Sequence, residues 1–247
     1  MRLFTKLIVL AVLLVTTPAV WADTLITVRN HTDAIPAMGV EESDETSTSW
    51  LGTNKLRDDR EGQSVIVNLD DKKLYVLRHE AKVYHALDLP LDFKKLVPPE
   101  QAQQFEAMAA QMEMKVDITP TDETREVAGY KAMLYKVVLS NPMGMEMDLN
   151  LWMSTEVDLN AESFKALYME MLSAQPMGAD WIKQIMAVEG FRVLQETTVN
   201  MMGTSFNIVE ELVSLEEKEA PAGTYSPPEG YKLEPFDMSA MGGPGGF

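Results

Sequence analysis

Apolar and polar positions alternate with period two through the first half of the chain and again through its last third, the signature of strands with one buried face. Ser64 to Leu69 reads as an apolar strand, Asp70-Asp71-Lys72 as a turn, and Lys73 to Leu77 as the returning strand. Glu80 turns the chain again, and Lys82 to Leu89 carries Val83, His85, Leu87 and Leu89 on one face. Short strands joined by polar turns predict an antiparallel meander. Farther on, Lys131 to Leu139 alternates, and Asn141-Pro142 signals a turn. Met143, Met145, Met147, Leu149, Leu151 and Met153 then occupy every second position, with Gly144, Glu146, Asp148 and Asn150 between them. That spacing predicts a strand with one apolar and one wet face. Two last strands are predicted around Phe191 to Met201 and Ser205 to Leu215, parted by a turn at Gly203.

A helical period interrupts the alternation three times. Pro98 and Pro99 open the first helix, where a missing N–H costs nothing, and Ala102, Phe105, Met108 and Met112 form its apolar stripe. Asn160 caps the second, whose Phe164, Leu167, Tyr168, Met171 and Leu172 fall on one face before Pro176 ends it. Trp181, Ile182, Ile185 and Met186 mark the third, which stops at Gly190. Helices this short need an apolar surface to cover, and the apolar face of the sheet is the one available. The pattern predicts an α+β fold: a single curved antiparallel sheet with helices packed in its concave face. Residues 31–47 show no period and read as a polar, acidic connection.

The first 22 residues change the picture. Arg2 and Lys6 precede an unbroken apolar run from Leu7 to Val15, and Pro18 breaks the chain ahead of Val20-Trp21-Ala22. This is the three-part form of a signal peptide cleaved after Ala22. The run is about half of what a membrane-spanning helix needs. No cysteine is present, which excludes disulfides, thiolate metal sites and a lipid-modified N-terminus. About 225 residues remain after cleavage, enough for one domain with its own core. Cleavage also leaves 19 of the 21 basic residues against 38 acidic ones. So acidic a surface repels phosphate backbones and anionic head groups, which argues against nucleic acid and against stable membrane anchoring. The domain is expected over residues 23–236, with a disordered, glycine-rich tail over 237–247.

Four phrases carry a resemblance: Val65-Ile66-Val67-Asn68-Leu69-Asp70-Asp71-Lys72-Lys73-Leu74-Tyr75, Val127-Ala128-Gly129-Tyr130-Lys131, Leu151-Trp152-Met153-Ser154, and Ala220-Pro221-Ala222-Gly223-Thr224-Tyr225. With them the chain resembles an exported bacterial family of unknown function within the LolA/LolB-like superfamily of outer-membrane lipoprotein carriers. The resemblance implies an unclosed half β-barrel holding helices in its concave face, and the periplasm of a Gram-negative bacterium. It carries over no ligand-contacting residue.

Candidate chemistry is sparse. His31, His79 and His85 lack metal-ligand spacing and read as solvated or core histidines, and no nucleophile elbow, zinc-protease helix or phosphate loop is present. Neither catalysis, a cofactor nor a metal is expected from histidine or carboxylate patterns. Eighteen methionines stand out. Met143, Met145 and Met147, one strand face apart by about 7 Å per step, suit three readings: packing between a curved sheet and helices, the adaptable lining of an apolar ligand groove, or thioether ligands for Cu(I). The leading functional expectation is a soluble periplasmic carrier or sensor. It would bind a lipid, lipidated peptide or hydrophobic small molecule along Met143, Met145, Met147, Leu149, Leu151, Met153, Phe164, Leu167, Tyr168 and Met171. The alternative is a plugged half-barrel that binds a protein partner or serves as a scaffold.

Overall fold

The computed structural model describes residues 23–36, 39–91, 113–157, 159, 164–167, 169–170, 183–201 and 203–236. Within them, strands form where alternation is cleanest: β4 (Gln63–Asn68), β5 (Lys73–Arg78), β6 (Val83–Asp88), β8 (Tyr130–Ser140), β10 (Phe191–Met201) and β11 (Thr204–Glu217) all follow the expected runs. β1 (Thr24–Thr32), β2 (Ser43–Gly52), β3 (Lys55–Arg60), β7 (Lys115–Val127), β9 (Glu146–Ser154) and a two-residue β12 (Lys232–Leu233) complete the set.

All twelve strands belong to one open sheet in the order β12-β6-β5-β4-β3-β2-β1-β11-β10-β9-β8-β7. Two antiparallel meanders, β2 to β6 and β7 to β11, are stitched together by β1, which pairs with β2 on one side and β11 on the other. β12 alone pairs in parallel, along β6. The β7–β8 hairpin shows why the chain turns where it does. Its two-residue loop, Ala128-Gly129, holds both residues at positive φ (50° and 83°), the backbone whose twist matches that of the strands it joins.

Cross-strand register turns the alternation into a core. Leu51, Leu56, Val67, Leu74 and Leu87 are successive partners across β2 to β6, forming one apolar row. With Ile26, Val65 and Val76 they make the larger of two buried clusters, which also takes in Leu167 and Val193. The smaller cluster lies over β7 to β9, built on Met114, Val137, Leu139, Leu149 and Leu151.

Two expectations are corrected here. Residues 31–47 are not one connection: His31 and Thr32 finish β1, and Ser43 to Ser47 begin β2. The period is invisible because both faces are polar at this end of the pair, where His31 meets Asp44 and Asn30 meets Glu45. The methionine strand starts later than its alternation implies. Asn141 folds the preceding segment into a turn by accepting the N–H groups of Met143 and Met145 (3.0 and 3.1 Å). Helical backbone is present at residues 164–167, 169–170 and 183–185. Among the described residues, no helix is long and apolar enough to cross a membrane. The signal peptide, the first expected helix and the tail fall outside the described residues.

Candidate functional site

The residues expected to line one groove divide between the two clusters. Leu149 and Leu151 are buried in the smaller one, and Met145, Met147 and Met153 pack half-buried around them, together with Ile185 from the third helical segment. Leu167 and Phe164 go to the larger cluster instead. Leu167 is 0% exposed, and Phe164 meets Phe191 edge-to-face with ring centres 5.5 Å apart. Tyr168 and Met171 lie outside the described residues. Met143 leaves the row altogether: it stands in the turn, 67% exposed. The three-sulfur strand face considered for Cu(I) is therefore not formed. The remaining methionines rim an apolar patch whose floor is leucine and valine, and an unbranched thioether at such a rim adapts to whatever it touches.

A polar site that was not expected lies elsewhere on the sheet. A depression of about 370 Å³ is lined by His31 and Asp33 with Asn150, Glu196, Thr198 and Asn207 among its other walls. Its parts come from four neighbouring strands, so the sheet register assembles it. Thr198 Oγ1 donates to Asn207 Oδ1 (2.9 Å), which leaves the Asn207 amide nitrogen to donate to Asp33 Oδ2 (2.8 Å). The Asn207 backbone N–H donates to the same oxygen at 2.9 Å. These donors, the backbone one foremost, hold the Asp33 carboxyl below its usual range. Asp33 in turn lies 3.3 Å from His31 Nε2, and Asp44 lies 2.9 Å from His31 Nδ1. The hydrogen bond to Asp44, aided by Asp33 and by the nearby Glu42 charge, raises the His31 pKa. His31, Glu42 and Asp44 each offer a ligand atom, all within 4.8 Å of one another, the one such grouping found among the described residues. Sequence spacing hid it because 10 positions separate Asp33 from Ser43. Only the β1–β2 register, pairing His31 with Asp44, brings the groups together.

The other two histidines tie the C-terminal segment to the sheet. Ser64, 1% exposed, donates its hydroxyl to Asp59 and lies 2.7 Å from His79 Nε2. Since that hydroxyl has spent its proton, His79 Nε2 carries the donor, and Nδ1 accepts from the Tyr231 hydroxyl at 2.8 Å. Serine, histidine and aspartate are thus close, but the serine proton already points to a carboxylate and the oxygen is sealed from solvent. That is the opposite of a base-activated nucleophile. His85 Nδ1 donates to the carbonyls of Glu234 and Pro235 (3.2 and 3.0 Å), and Phe236 packs edge-on to its ring. Asp23 fixes the start of the same strap, accepting the Ala220 N–H at 3.1 Å. Burial, with the Asp23 charge beside it, pushes the Tyr225 phenol pKa well up.

The profile of a domain of unknown function (DUF4412) matches residues 42–231. No curated protein matches the chain. Among solved structures, the chain is similar to PNGF-II, with 14% identity and a TM-score of 0.41, over 89% of this chain and 32% of that one. It is similar to the MucA/MucB complex of Pseudomonas aeruginosa with 13% identity and a TM-score of 0.37, over 81% and 53%. A putative outer membrane lipoprotein-sorting protein domain from Vibrio parahaemolyticus gives 6% identity and a TM-score of 0.27, over 80% and 86%. The chain spans about a third of the first of these structures and about half of the second.

Proposed function

The chain belongs to the DUF4412 family, a domain of unknown function, and we propose that it works as a non-catalytic periplasmic carrier or sensor for an apolar ligand. The reading places the ligand on the smaller cluster, under the helical segment that contains Ile185, in the concave side of the open sheet. One observation carries it: Met145, Met147 and Met153 stay half-buried around a fully apolar floor. The larger cluster also has a partly buried rim, but among the described residues it is made of branched and aromatic side chains such as Val28, Leu69 and Phe191, not of methionine. Leu167 is sealed there, and withdrawing one fully buried leucine already costs about 1.5–3 kcal/mol. The resemblance of the strand-and-turn phrases to an exported family within the lipoprotein-carrier superfamily, and the Arg2–Ala22 export pattern, support both the ligand class and the compartment. That same sealed Leu167 favours the second reading, a filled half-barrel that binds a protein partner.

Native mass spectrometry of protein taken from the periplasm, before and after delipidation, separates the two. A carrier loses acyl-sized mass on delipidation and takes up palmitate to saturation. Met147→Gln should then weaken palmitate binding by about tenfold, as expected when a polar group must be desolvated at the contact. Met143→Gln, at the exposed turn, should leave it unchanged. Identical masses and no uptake by the delipidated protein would replace the carrier with the filled module.

A further inference from the structure

We propose that His31, Glu42 and Asp44 form a binding site for a divalent cation of the zinc kind, with Asp33 as the outer carboxylate that orients the histidine. The site is independent of the apolar patch and is built from different strands. His31 and Asp44 are cross-strand partners on β1 and β2, so their side chains rise from the same face. Asp33 and Glu42 each lie two positions along from one of them, which returns them to that face. The three ligand atoms lie within 4.8 Å of one another, so a small closure brings them to metal-bonding distance. One imidazole with two carboxylates is a donor set that zinc accepts, leaving its fourth position to water.

The surroundings meet two further requirements. A metal-ligating histidine almost always donates its second ring N–H to a carboxylate, a backbone carbonyl or water, and this fixes the tautomer. Asp33, 3.3 Å from His31 Nε2, occupies that place, and Asn207 pins it with two donors while Thr198 fixes the Asn207 amide. The brace thus runs through three strands, β1, β11 and β10, before it reaches the imidazole. Charge is the second requirement. Three carboxylates surround a single imidazole, and among the described residues no lysine or arginine pairs with Asp33, Glu42 or Asp44. A divalent cation at Nδ1 displaces the proton shared with Asp44 to solvent and offsets two of the three carboxylate charges. The neighbouring polar depression, which reaches His31 and Asp33, leaves the site open to ions.

The test titrates Zn2+ into the full-length mature protein after chelation, by calorimetry, with the ring nitrogens followed by long-range 1H–15N NMR. One equivalent should bind, and the nitrogen that shifts should be His31 Nδ1. His31→Gln and Asp44→Asn should each weaken binding at least tenfold. Asp33→Asn should weaken it by about 10-fold to 100-fold while keeping the stoichiometry, the loss expected of an outer-shell group. All three positions are at least partly exposed, and circular dichroism verifies that each variant keeps its fold. Absence of binding by the wild type, binding that both His31→Gln and Asp44→Asn leave intact, or a shift confined to His79 or His85 would overturn the assignment.

Discussion

At Gly190 the absence of a side chain is required by both the backbone and its surroundings. Its φ is 99°, a backbone that residues with a side chain rarely adopt, and a Cβ there would sit 2.7 Å from the Ser154 carbonyl oxygen. Ser154 is the last residue of β9 and is 1% exposed, so the obstacle is buried backbone with nowhere to go. Gly62 also has a positive φ, 72°, but a Cβ there would meet nothing within 4 Å. Gly190→Ala should therefore cost about 2–4 kcal/mol, the sum of left-handed strain and overpacking. Gly62→Ala should cost only the strain, about 1 kcal/mol. Urea unfolding of both variants gives the comparison, and equal losses would mean that the chain leaves β9 by another path. The same logic of a local group with a distant consequence applies to Asp33. Its polarity made it look like loop, yet it braces a histidine against the neighbouring strands.

At the scale of elements, the strap after β11 closes one edge of the sheet. β12 pairs with β6, and the backbone continues the ladder through Lys232 N to Lys82 O and Glu234 N to Tyr84 O, both 3.0 Å. An edge strand left bare invites pairing with other chains, so the strap's anchor matters. Tyr231→Phe removes the hydroxyl that His79 accepts and strands a ring nitrogen between Ser64 and the strap. We expect a loss of about 0.5–1.5 kcal/mol, the net worth of one part-buried hydrogen bond, with faster amide exchange along β6. A loss under about 0.3 kcal/mol would show that the strap is held elsewhere, by Asp23 or by His85. Elements also show where the sequence could be read and where it could not. β6 and β8 were legible because one face of each is apolar and the other is not, and β4 and β5 because their apolar runs, Val65-Ile66-Val67 and Val76-Leu77, stand between polar turns. β3, with Leu56 as its one apolar residue, and the polar ends of β1 and β2 carry no such contrast. Met143 was misread for the converse reason: alternation ran on past the strand end, while the turn was set by the Asn141 side chain.

At the scale of the whole molecule, the described residues form an open sheet with two apolar clusters, and the division between them could not be seen in the chain. Periodicity says that a position is buried; it does not say against what. Phe164 and Leu149 both read as groove-facing, and the fold sends one to the larger cluster and the other to the smaller. The carrier reading consequently rests on the smaller cluster alone, and it must be tested there. Amide and methyl chemical shifts recorded during a palmitate titration of the delipidated protein do so most directly. The account predicts saturable shifts at Val137, Leu139, Leu149, Leu151 and the methionine methyls of Met145, Met147 and Met153, with Leu56, Val67 and Leu74 unmoved. Shifts centred on Leu56, Val67 and Leu74, or none at saturating palmitate, would contradict it.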